Sequence, residues 1–384
     1  MIEIKNSADC CGCTACASIC VHNAITMKPD VLGFLYPEVD KEKCVDCGLC
    51  EKICPILNNI NKSLNVKMPL KYLAVRIKDK EILKNSSSGG AFSIFANEII
   101  DRGGVVCGVE YSVDGTVKHT FISNKNSVHK LRGSKYVQSN IVGIYPKVKK
   151  YLRQDKYVLF TGTPCQVAGL KHYLCRDYPK LITIDLGCHS VPSPLIYKDY
   201  LEFCSKRLGE VVLSIDMRYK ATYGWGKRYS YRYNLGDGRH VIDPISIVNW
   251  GKIFFSELIN RPSCEACKYA NLNRVGDFTI ADFWDDKKLR PDIYSKEGTS
   301  LLLINTDKGK IIFSNCKNKC EYWNITKEEA LQPCFCHATR QNPKSDLVLK
   351  YYLQNGFPKT YKKYFADSYK TLIKLFIKRL LKYK

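Results

Sequence analysis

Two cysteine runs near the start of the chain have the spacing of iron–sulfur ligands. They are Cys10-x2-Cys13-x2-Cys16-x3-Cys20 and Cys44-x2-Cys47-x2-Cys50-x3-Cys54, the second followed by Pro55. In such a run three thiolates on one tight loop bind three irons of a cluster, and the fourth cysteine binds the other cluster. The spacing therefore predicts two [4Fe–4S] clusters, cluster one held by Cys10, Cys13, Cys16 and Cys54 and cluster two held by Cys44, Cys47, Cys50 and Cys20.

Zinc sites and disulfides are the alternatives for a chain with 20 cysteines. Structural zinc needs only two C-x2-C pairs, whereas this chain has two longer matched runs. We recognise no signal peptide in the sequence, and we therefore expect a reducing, cytoplasmic setting in which thiols bind metal rather than pair. Cys11 is surplus to its run, and we interpret it as a non-ligand.

Four later cysteines form a candidate third cluster. The apolar run 156–160 leads through Thr161-Gly162-Thr163-Pro164-Cys165 into a predicted helix, and the next predicted strand, 181–186, ends at Gly187-Cys188-His189. The two strands of such a unit are parallel and end at the same edge of the sheet, where open α/β sheets build their sites. With the pair Cys264-x2-Cys267 this makes a four-thiolate set. Two buried structural cysteines beside an unrelated zinc or free pair are the open alternative.

Two loops have residues suited to a phosphate-bearing cofactor. Asn85-Ser86-Ser87-Ser88-Gly89-Gly90 leads into a predicted helix, whose free N–H groups and dipole attract phosphate. Residues 130–138 place Lys130, Arg132 and Lys135 around Gly133, Ser134 and Tyr136. An ordinary N-cap and a solvated basic loop are the plainer interpretations of the two segments.

The net charge of +23 is unevenly distributed, because residues 1–60 carry eight acidic side chains and five lysines. An acidic module on a basic body suits docking or an anionic cofactor, although general lysine richness gives the same totals. Residues 218–240 interleave tyrosine with arginine and lysine around a predicted hairpin turn. Such residues can stack bases, but they are commoner on a half-exposed hairpin, and no nucleic-acid-binding module is recognisable in the sequence. A nucleic-acid-binding iron–sulfur protein is therefore the remotest alternative.

The last 26 residues are strongly basic. Residues 359–384 contain nine lysines or arginines and one acid. From Asp367-Ser368 onward, lysines recur every four residues opposite an apolar face, which predicts a basic amphipathic helix. This helix could contact an anionic membrane surface or a partner's acidic groove, or it could dock on the protein's own core.

Together these motifs resemble the family of coenzyme F-420 hydrogenase/dehydrogenase beta subunits over about residues 1–305. The resemblance rests on the two cysteine runs and, in order, on Ser87-Ser88-Gly89-Gly90, Gly133-Ser134-Lys135-Tyr136, Thr161-Gly162-Thr163-Pro164-Cys165-Gln166, Gly187-Cys188-His189, Cys264-x2-Cys267 and Gly276-Asp277-Phe278-Thr279-Ile280-Ala281-Asp282-Phe283-Trp284. It implies a third [4Fe–4S] cluster on Cys165, Cys188, Cys264 and Cys267. It also implies FAD bound near Ser88, Gly89, Gly90, Lys135, Tyr136, Thr161, Gly162 and Thr163.

We therefore expect an α+β protein with four parts. These are a ferredoxin-type domain at 1–57, a linker at 58–71, a mixed α/β flavin and iron–sulfur core at 72–340 that divides near 150–180, and a basic helical tail at 341–384. His189 is a candidate catalytic residue because imidazole titrates near neutrality, with a structural histidine as the alternative.

The expected function is that of an iron–sulfur flavoprotein oxidoreductase. Electrons would pass between the ferredoxin-type clusters and FAD, which would reduce or oxidise a small organic substrate or carrier. The alternative is an electron-relay subunit of a hydrogenase or dehydrogenase complex without its own substrate. Either function requires a redox partner protein or ferredoxin. The expected location is the cytoplasm, with peripheral contact at the inner membrane surface left open.

Overall fold

The computed structural model describes residues 1–57, 68–226, 230–284, 286–368 and 371. The N-terminal unit consists of an antiparallel hairpin and two one-turn helices. Its elements are α1 (Ala15–Ile19), β1 (Ile25–Pro29), β2 (Leu35–Val39) and α2 (Leu49–Lys52). Each helix begins inside one of the cysteine runs, and the two helices pack against each other. This is the α+β arrangement expected of the N-terminal domain.

An eight-stranded mixed sheet forms the centre of the larger part of the chain. Its strands are β3 (Lys71–Ile77), β4 (Val105–Tyr111), β5 (Val117–Ile122), β6 (Val158–Gly162), β7 (Leu181–Leu186), β11 (Phe278–Asp282), β12 (Ser300–Ile304) and β13 (Cys320–Asn324). The strand order is β13-β3-β12-β11-β7-β6-β4-β5. The central strands β6 and β7 are buried on both faces, which is typical of parallel strands covered by helices.

Five strands of this sheet run in the same direction. β4, β6, β7 and β11 pair in parallel, and β3 has their direction because two antiparallel pairings separate it from β11. The predicted parallel pair of strands is therefore confirmed, with Thr161 opposite Ile184. The carboxyl ends of all five strands lie at one edge, which we call the site edge.

A second, three-stranded antiparallel sheet contains β8 (Val212–Tyr219), β9 (Ser230–Leu235) and β10 (His240–Ile242). The β9–β10 pair confirms the hairpin predicted at residues 236–238. Burial alternates along β9, with Tyr231 and Tyr233 facing the interior, so these rings are not available to stack on bases.

Helices cover both sheets. They are α3 (Lys80–Lys84), α4 (Ala91–Asp101), α5 (Val128–Leu131), α6 (Ile144–Arg153), α7 (Pro164–Leu174), α8 (Pro194–Leu208), α9 (Trp250–Phe254), α10 (Asp286–Leu289), α11 (Asp307–Cys316), α12 (Lys327–Ala330) and α13 (Ser345–Thr360). α13 is kinked at Gly356 and continues into a π-helical turn over Tyr361–Phe365. No helix in the described ranges is both long and apolar enough to cross a membrane.

The segment 345–365 is part of the protein core. Val348, Tyr352, Phe357, Tyr361 and Phe365 are buried in the same hydrophobic cluster as the three-stranded sheet. The first half of the predicted tail is therefore docked on the chain itself. Most of the predicted basic amphipathic helix, residues 369–370 and 372–384, lies outside the described residues. The predicted linker likewise falls mostly outside them, at residues 58–67.

Candidate functional site

The predicted ligands of cluster one lie together at the interface between the N-terminal unit and the core. Cys13, Cys16 and Cys54 are buried, and Cys10 is half-buried. Burial raises the pKa of Cys16 to about 12, and repulsion from the Cys10 and Cys54 thiolates adds to the rise. The neighbouring Cys11 thiol lowers the pKa of Cys13, but burial and the thiolates of Cys16 and Cys10 outweigh it and raise this pKa above its usual range. Four thiols that repel one another when ionised suit a cationic iron–sulfur centre, which neutralises them.

The predicted ligands of cluster two lie on the outer side of the same unit. One cavity is lined by all four of them, Cys20, Cys44, Cys47 and Cys50. Its wall is otherwise mostly apolar and includes Ile19, Ala24, Ile25, Val39 and Leu49. Cys47 is exposed, which leaves this site accessible from solvent.

The third cysteine set meets at the site edge of the large sheet. Cys165 follows β6, Cys188 follows β7, and Cys264 and Cys267 come from the loop after α9. Burial holds the pKa of Cys188 well above its usual range, and the thiolates of the other three reinforce this shift. Cys334, in which sequence reasoning found no ligand pattern, also lies within electrostatic range of Cys188.

Within the described ranges, no three Cys, His, Asp or Glu side chains lie close enough together to hold a single metal ion. A cubane has a different requirement, because its four thiolates bind four separate irons. The three segments that meet at the site edge bring four such thiols together.

Cys11 joins cluster one to the core set. Its side chain packs in one buried cluster with Cys13 and Cys165. Helix α7 packs closely here, because a Cβ on Gly169 would lie 3.0 Å from Sγ of Cys13. The N-terminal unit is therefore in direct contact with the core cysteines.

The two candidate phosphate loops touch each other. The backbone N–H of Ser134 donates to Oγ of Ser87 over 2.8 Å, and the two hydroxyls are 3.1 Å apart. Arg132 donates from Nε to Oγ of Ser93 in the first turn of α4. Two segments that lie 47 residues apart in the chain thus form one surface at the site edge.

The loop that precedes α4 is held in place by Lys220, which the sequence analysis had assigned to the tyrosine-rich hairpin. Lys220, at the end of β8, donates from Nζ to the carbonyl oxygens of Leu83, Ser88 and Glu297. Lys220 is buried, and burial lowers its pKa to about 8. In the sequence it appeared only as one cation of the tyrosine-rich hairpin. The signal that could have identified it is its position just beyond a strand end.

The start of α4 has the features of an anion-binding helix. Its N-cap is Gly90, at φ 81°, and no described side chain caps the first N–H groups. Gly89 passes so close to the sheet that an added Cβ would lie 2.3 Å from the carbonyl oxygen of Val75. The hydroxyl of Ser88 is committed to the carbonyl oxygen of Thr299 at 2.7 Å. A phosphate here would therefore be bound by backbone N–H groups rather than by that hydroxyl.

Lys135 and Tyr136 connect the second loop to the core. Burial lowers the pKa of Lys135 to about 8, and its Nζ donates to the carbonyl oxygens of Arg132 and Gly133. The ring of Tyr136 stacks on Phe254 at 4.8 Å. Phe254 in turn contacts the His189 ring, so this loop reaches the residue that follows Cys188 in the chain.

His189 is held as a structural histidine would be. Its Nε2 lies 3.1 Å from Oε1 of Glu257, and its ring packs against Phe254 and Phe255. Burial lowers its pKa, and the Glu257 carboxylate opposes that shift. The geometry is compatible with proton transfer, and it is equally that of an anchored side chain.

Thr161, Gly162 and Thr163 lie between the loops and the core cysteines. The Thr161 hydroxyl donates to the carbonyl oxygen of Cys107, and Nε2 of the buried His119 contacts the Thr161 carbonyl at 3.0 Å. Thr163 begins α7 with a capping box, and its hydroxyl lies 3.2 Å from Sγ of Cys165. The residues that the resemblance assigns to FAD therefore reach from the loops to the first core cysteine.

A buried ion pair crosses the site edge beside Tyr136. Nη2 of Arg218 lies 3.0 Å from Oδ2 of Asp282, and the guanidinium lies over the Trp284 ring. Nη1 of Arg218 donates to the Tyr136 hydroxyl at 3.4 Å. Sequence reasoning singled out both segments without joining them, because they lie more than 60 residues apart in the chain.

Comparison with protein families gives two matches. Residues 155–329 match a model described as the C terminus of the coenzyme F420 hydrogenase/dehydrogenase beta subunit. Residues 9–57 match a 4Fe-4S dicluster domain. Between them, the matches cover the two cysteine runs and the third cysteine set.

Among curated proteins, an F(420)H(2) dehydrogenase subunit of Methanosarcina mazei is 25% identical over 176 residues, or 43% of this chain. The chain spans about half the length of that relative, 48%. A solved structure of the F420-reducing [NiFe] hydrogenase complex from Methanosarcina barkeri contains a chain that is 20% identical, with a TM-score of 0.46. That alignment covers 77% of this chain and 91% of the other.

Proposed function

We propose that this chain is an electron-relay oxidoreductase subunit, because residues 155–329 match the C-terminal model of the coenzyme F420 hydrogenase/dehydrogenase beta subunits and residues 9–57 match a 4Fe-4S dicluster domain. The two N-terminal cysteine sets would hold clusters one and two, Cys165, Cys188, Cys264 and Cys267 would hold a third, and the loops at the site edge would hold FAD; when bound, these groups would supply a path for single electrons between a partner protein and the flavin. The curated relative is itself named as a subunit, which favours a protein partner over isolated action.

The observation that carries this proposal is that Cys11, Cys13 and Cys165 pack in one buried cluster. Electrons tunnel efficiently only between closely spaced centres. A contact through one side chain between cluster one and the core set supplies such spacing. The exposed position of Cys47 in cluster two gives a partner protein access at the opposite end.

The residues at the site edge fit a flavin dinucleotide. The uncapped start of α4 at Gly90 offers N–H groups to the diphosphate, and Lys135 can add a positive charge. Lys220 fixes the loop that precedes α4. Tyr136 adds an aromatic ring that is stacked on Phe254, and Thr161 to Thr163 lead to Cys165. When bound, FAD converts between single electrons and a two-electron hydride, so an organic substrate or carrier can be reduced or oxidised there.

Anaerobic purification with iron, sulfide and flavin analysis tests the proposal. Three clusters and one flavin require about twelve irons and about one FAD per chain. A preparation that keeps about eight irons and no flavin would refute the core cluster and the flavin site together. Zinc in place of iron would refute the whole proposal. Co-purification with a larger redox complex would favour a relay role over that of a stand-alone enzyme.

A further inference from the structure

Arg261 is a fully buried cation between cluster one and the core cysteines. Its side chain is 0% exposed, and it lies three residues before Cys264 in the chain. Nε donates to the carbonyl oxygen of Cys10 at 2.8 Å, and Nη2 donates to the carbonyl oxygen of Leu35 at 2.9 Å. Nη1 donates to Oε1 of Gln138 at 3.0 Å. One guanidinium thus holds the first cysteine run against the core.

The positive charge of Arg261 has no carboxylate partner within the described residues. Its hydrogen-bond acceptors there are two backbone carbonyls and one neutral amide, and its other neighbours are the rings of Phe34 and Tyr36. A guanidinium cannot lose its proton, and a buried charge without a counter-charge is costly. An anion that is not a side chain of the described residues would resolve this imbalance.

Arg274 is a second buried arginine, and unlike Arg261 it is paired with a carboxylate. It is 1% exposed, and its Nη2 lies 2.7 Å from Oδ1 of the buried Asp185. Of the two most buried arginines in the described ranges, one is therefore paired with a carboxylate and the other has neutral acceptors. The difference points to a function for the unpaired charge.

Arg261 contacts both cysteine sets. On the side of cluster one, Nε donates to the Cys10 carbonyl, and a Cβ on Gly12 would lie 2.8 Å from Nη1. On the side of the core set, the backbone carbonyl of Arg261 accepts from the N–H of Cys264 at 3.0 Å. The guanidinium therefore lies beside cluster one on a residue that is itself bonded to the core cysteine loop.

We infer that Arg261 is a shared counter-cation and positioning residue for cluster one and the core cluster, and that it raises the reduction potentials of both. This inference rests on the proposed function. A four-thiolate cluster is anionic and gains one negative charge when it is reduced, so a nearby cation in a low-dielectric interior stabilises the reduced form. Cluster two, held in the outer cavity, lies apart from this charge and serves as an internal reference.

The test is a redox titration of the intact, cluster-loaded protein followed by electron paramagnetic resonance, with iron content measured in parallel. Arg261→Gln removes the charge, and Arg261→Lys keeps it. We expect Arg261→Gln to weaken reduction of cluster one and the core cluster at least tenfold, which is 59 mV for a one-electron couple, and to leave cluster two unchanged. Arg261→Lys should stay near the wild-type potentials. Equal shifts in all three clusters, or none, would overturn the inference.

Gln138→Glu provides a second route that does not depend on the folding of an Arg261 variant. Glutamate has nearly the shape of glutamine, so its carboxylate would lie where Oε1 of Gln138 already accepts from Arg261. The substitution therefore supplies the missing counter-charge. The same two potentials should fall. Gln138→Met, which is neutral and also removes the bond from Nε2 of Gln138 to the Cys11 carbonyl, controls for lost hydrogen bonding. Equal effects of the two variants would refute the role of charge.

Iron content separates failure of this inference from failure of the proposed function. A wild-type protein with about twelve irons and potentials insensitive to all four variants would refute the inference and leave the relay function standing. A wild-type protein with about eight irons would refute the core cluster, and this inference with it.

Discussion

The sharpest test of the third cluster is the substitution Cys165→Ser. The Cys165 thiol lies at the start of α7 within electrostatic range of Cys188, Cys264 and Cys267. A serine hydroxyl has nearly the same size but lacks the soft thiolate that selects iron–sulfur centres. We therefore expect the local fold to persist and the core cluster to be lost.

The expected magnitude follows from the number of ligand sets. The protein should lose about four of about twelve irons per chain if the core cluster disassembles completely. A partial loss of about one iron would mean that the three remaining thiolates still hold three irons. In either case the clusters of the N-terminal domain should keep their signals, and electron transfer from them to the flavin should stop. Iron and sulfide analysis with electron paramagnetic resonance of the reduced protein measures these quantities.

Two matched controls make this result specific. Cys175→Ser changes an exposed thiol at the other end of α7 and should keep all the iron. Cys334→Ser tests the competing ligand, because Cys334 also lies near Cys188. Loss of iron in the Cys334 variant with retention in the Cys165 variant would show that the ligand set was assigned wrongly. Unchanged iron and unchanged turnover after Cys165→Ser would refute the core cluster.

Three further predictions concern other parts of the chain. Affinity for FAD should fall as pH rises above about 8, because Lys135 is then neutral and must take up a proton from solvent to pair with the diphosphate. Lys135→Met should bind FAD more weakly and without this pH dependence, and flavin fluorescence titration at several pH values measures both. Gly89→Ala should destabilise the fold by about 3 kcal/mol or more, since its Cβ would lie 2.3 Å from the Val75 carbonyl oxygen, whereas Gly236→Ala meets only a flexible side chain and should change the thermal midpoint little. A chain that ends at Asp367 should keep its clusters and lose binding to anionic liposomes at low salt, and undiminished binding would refute membrane contact through the tail.

Local sequence patterns were sufficient to predict much of the fold. The cluster ligands could be predicted from the cysteine runs because the cysteines of each run lie close together in the sequence, at a characteristic spacing. The strand–helix–strand unit around Thr161 could be placed because an apolar run, a capping threonine and a second apolar run follow one another, and the structure confirms parallel strands there. The helix predicted after Gly90 and the hairpin at residues 236–238 are confirmed for the same reason.

Contacts between distant segments were not predictable from such patterns. Lys220 holds a loop that lies more than 130 residues earlier in the chain, and Arg261 contacts the carbonyl of Cys10 251 residues away. Neither residue belongs to a local motif, because most of its partners are backbone carbonyls, which have no side-chain signal in the sequence. Cys11 was interpreted as a non-ligand because the neighbouring cysteines already complete the ligand spacing of the run. Its position beside Cys165 arises only when the N-terminal unit packs on α7.

Because some of the cationic side chains are buried, the net charge of the sequence overstates the charge on the surface of the protein. A total of +23 suggests a basic surface for nucleic acid or lipid. Yet Arg261 is wholly buried, Lys220 is 8% exposed, and both lie where anionic cofactors are proposed to bind. Part of the positive charge is therefore internal and would be offset by the anionic clusters and the flavin diphosphate. The loaded protein should consequently be less basic than its sequence.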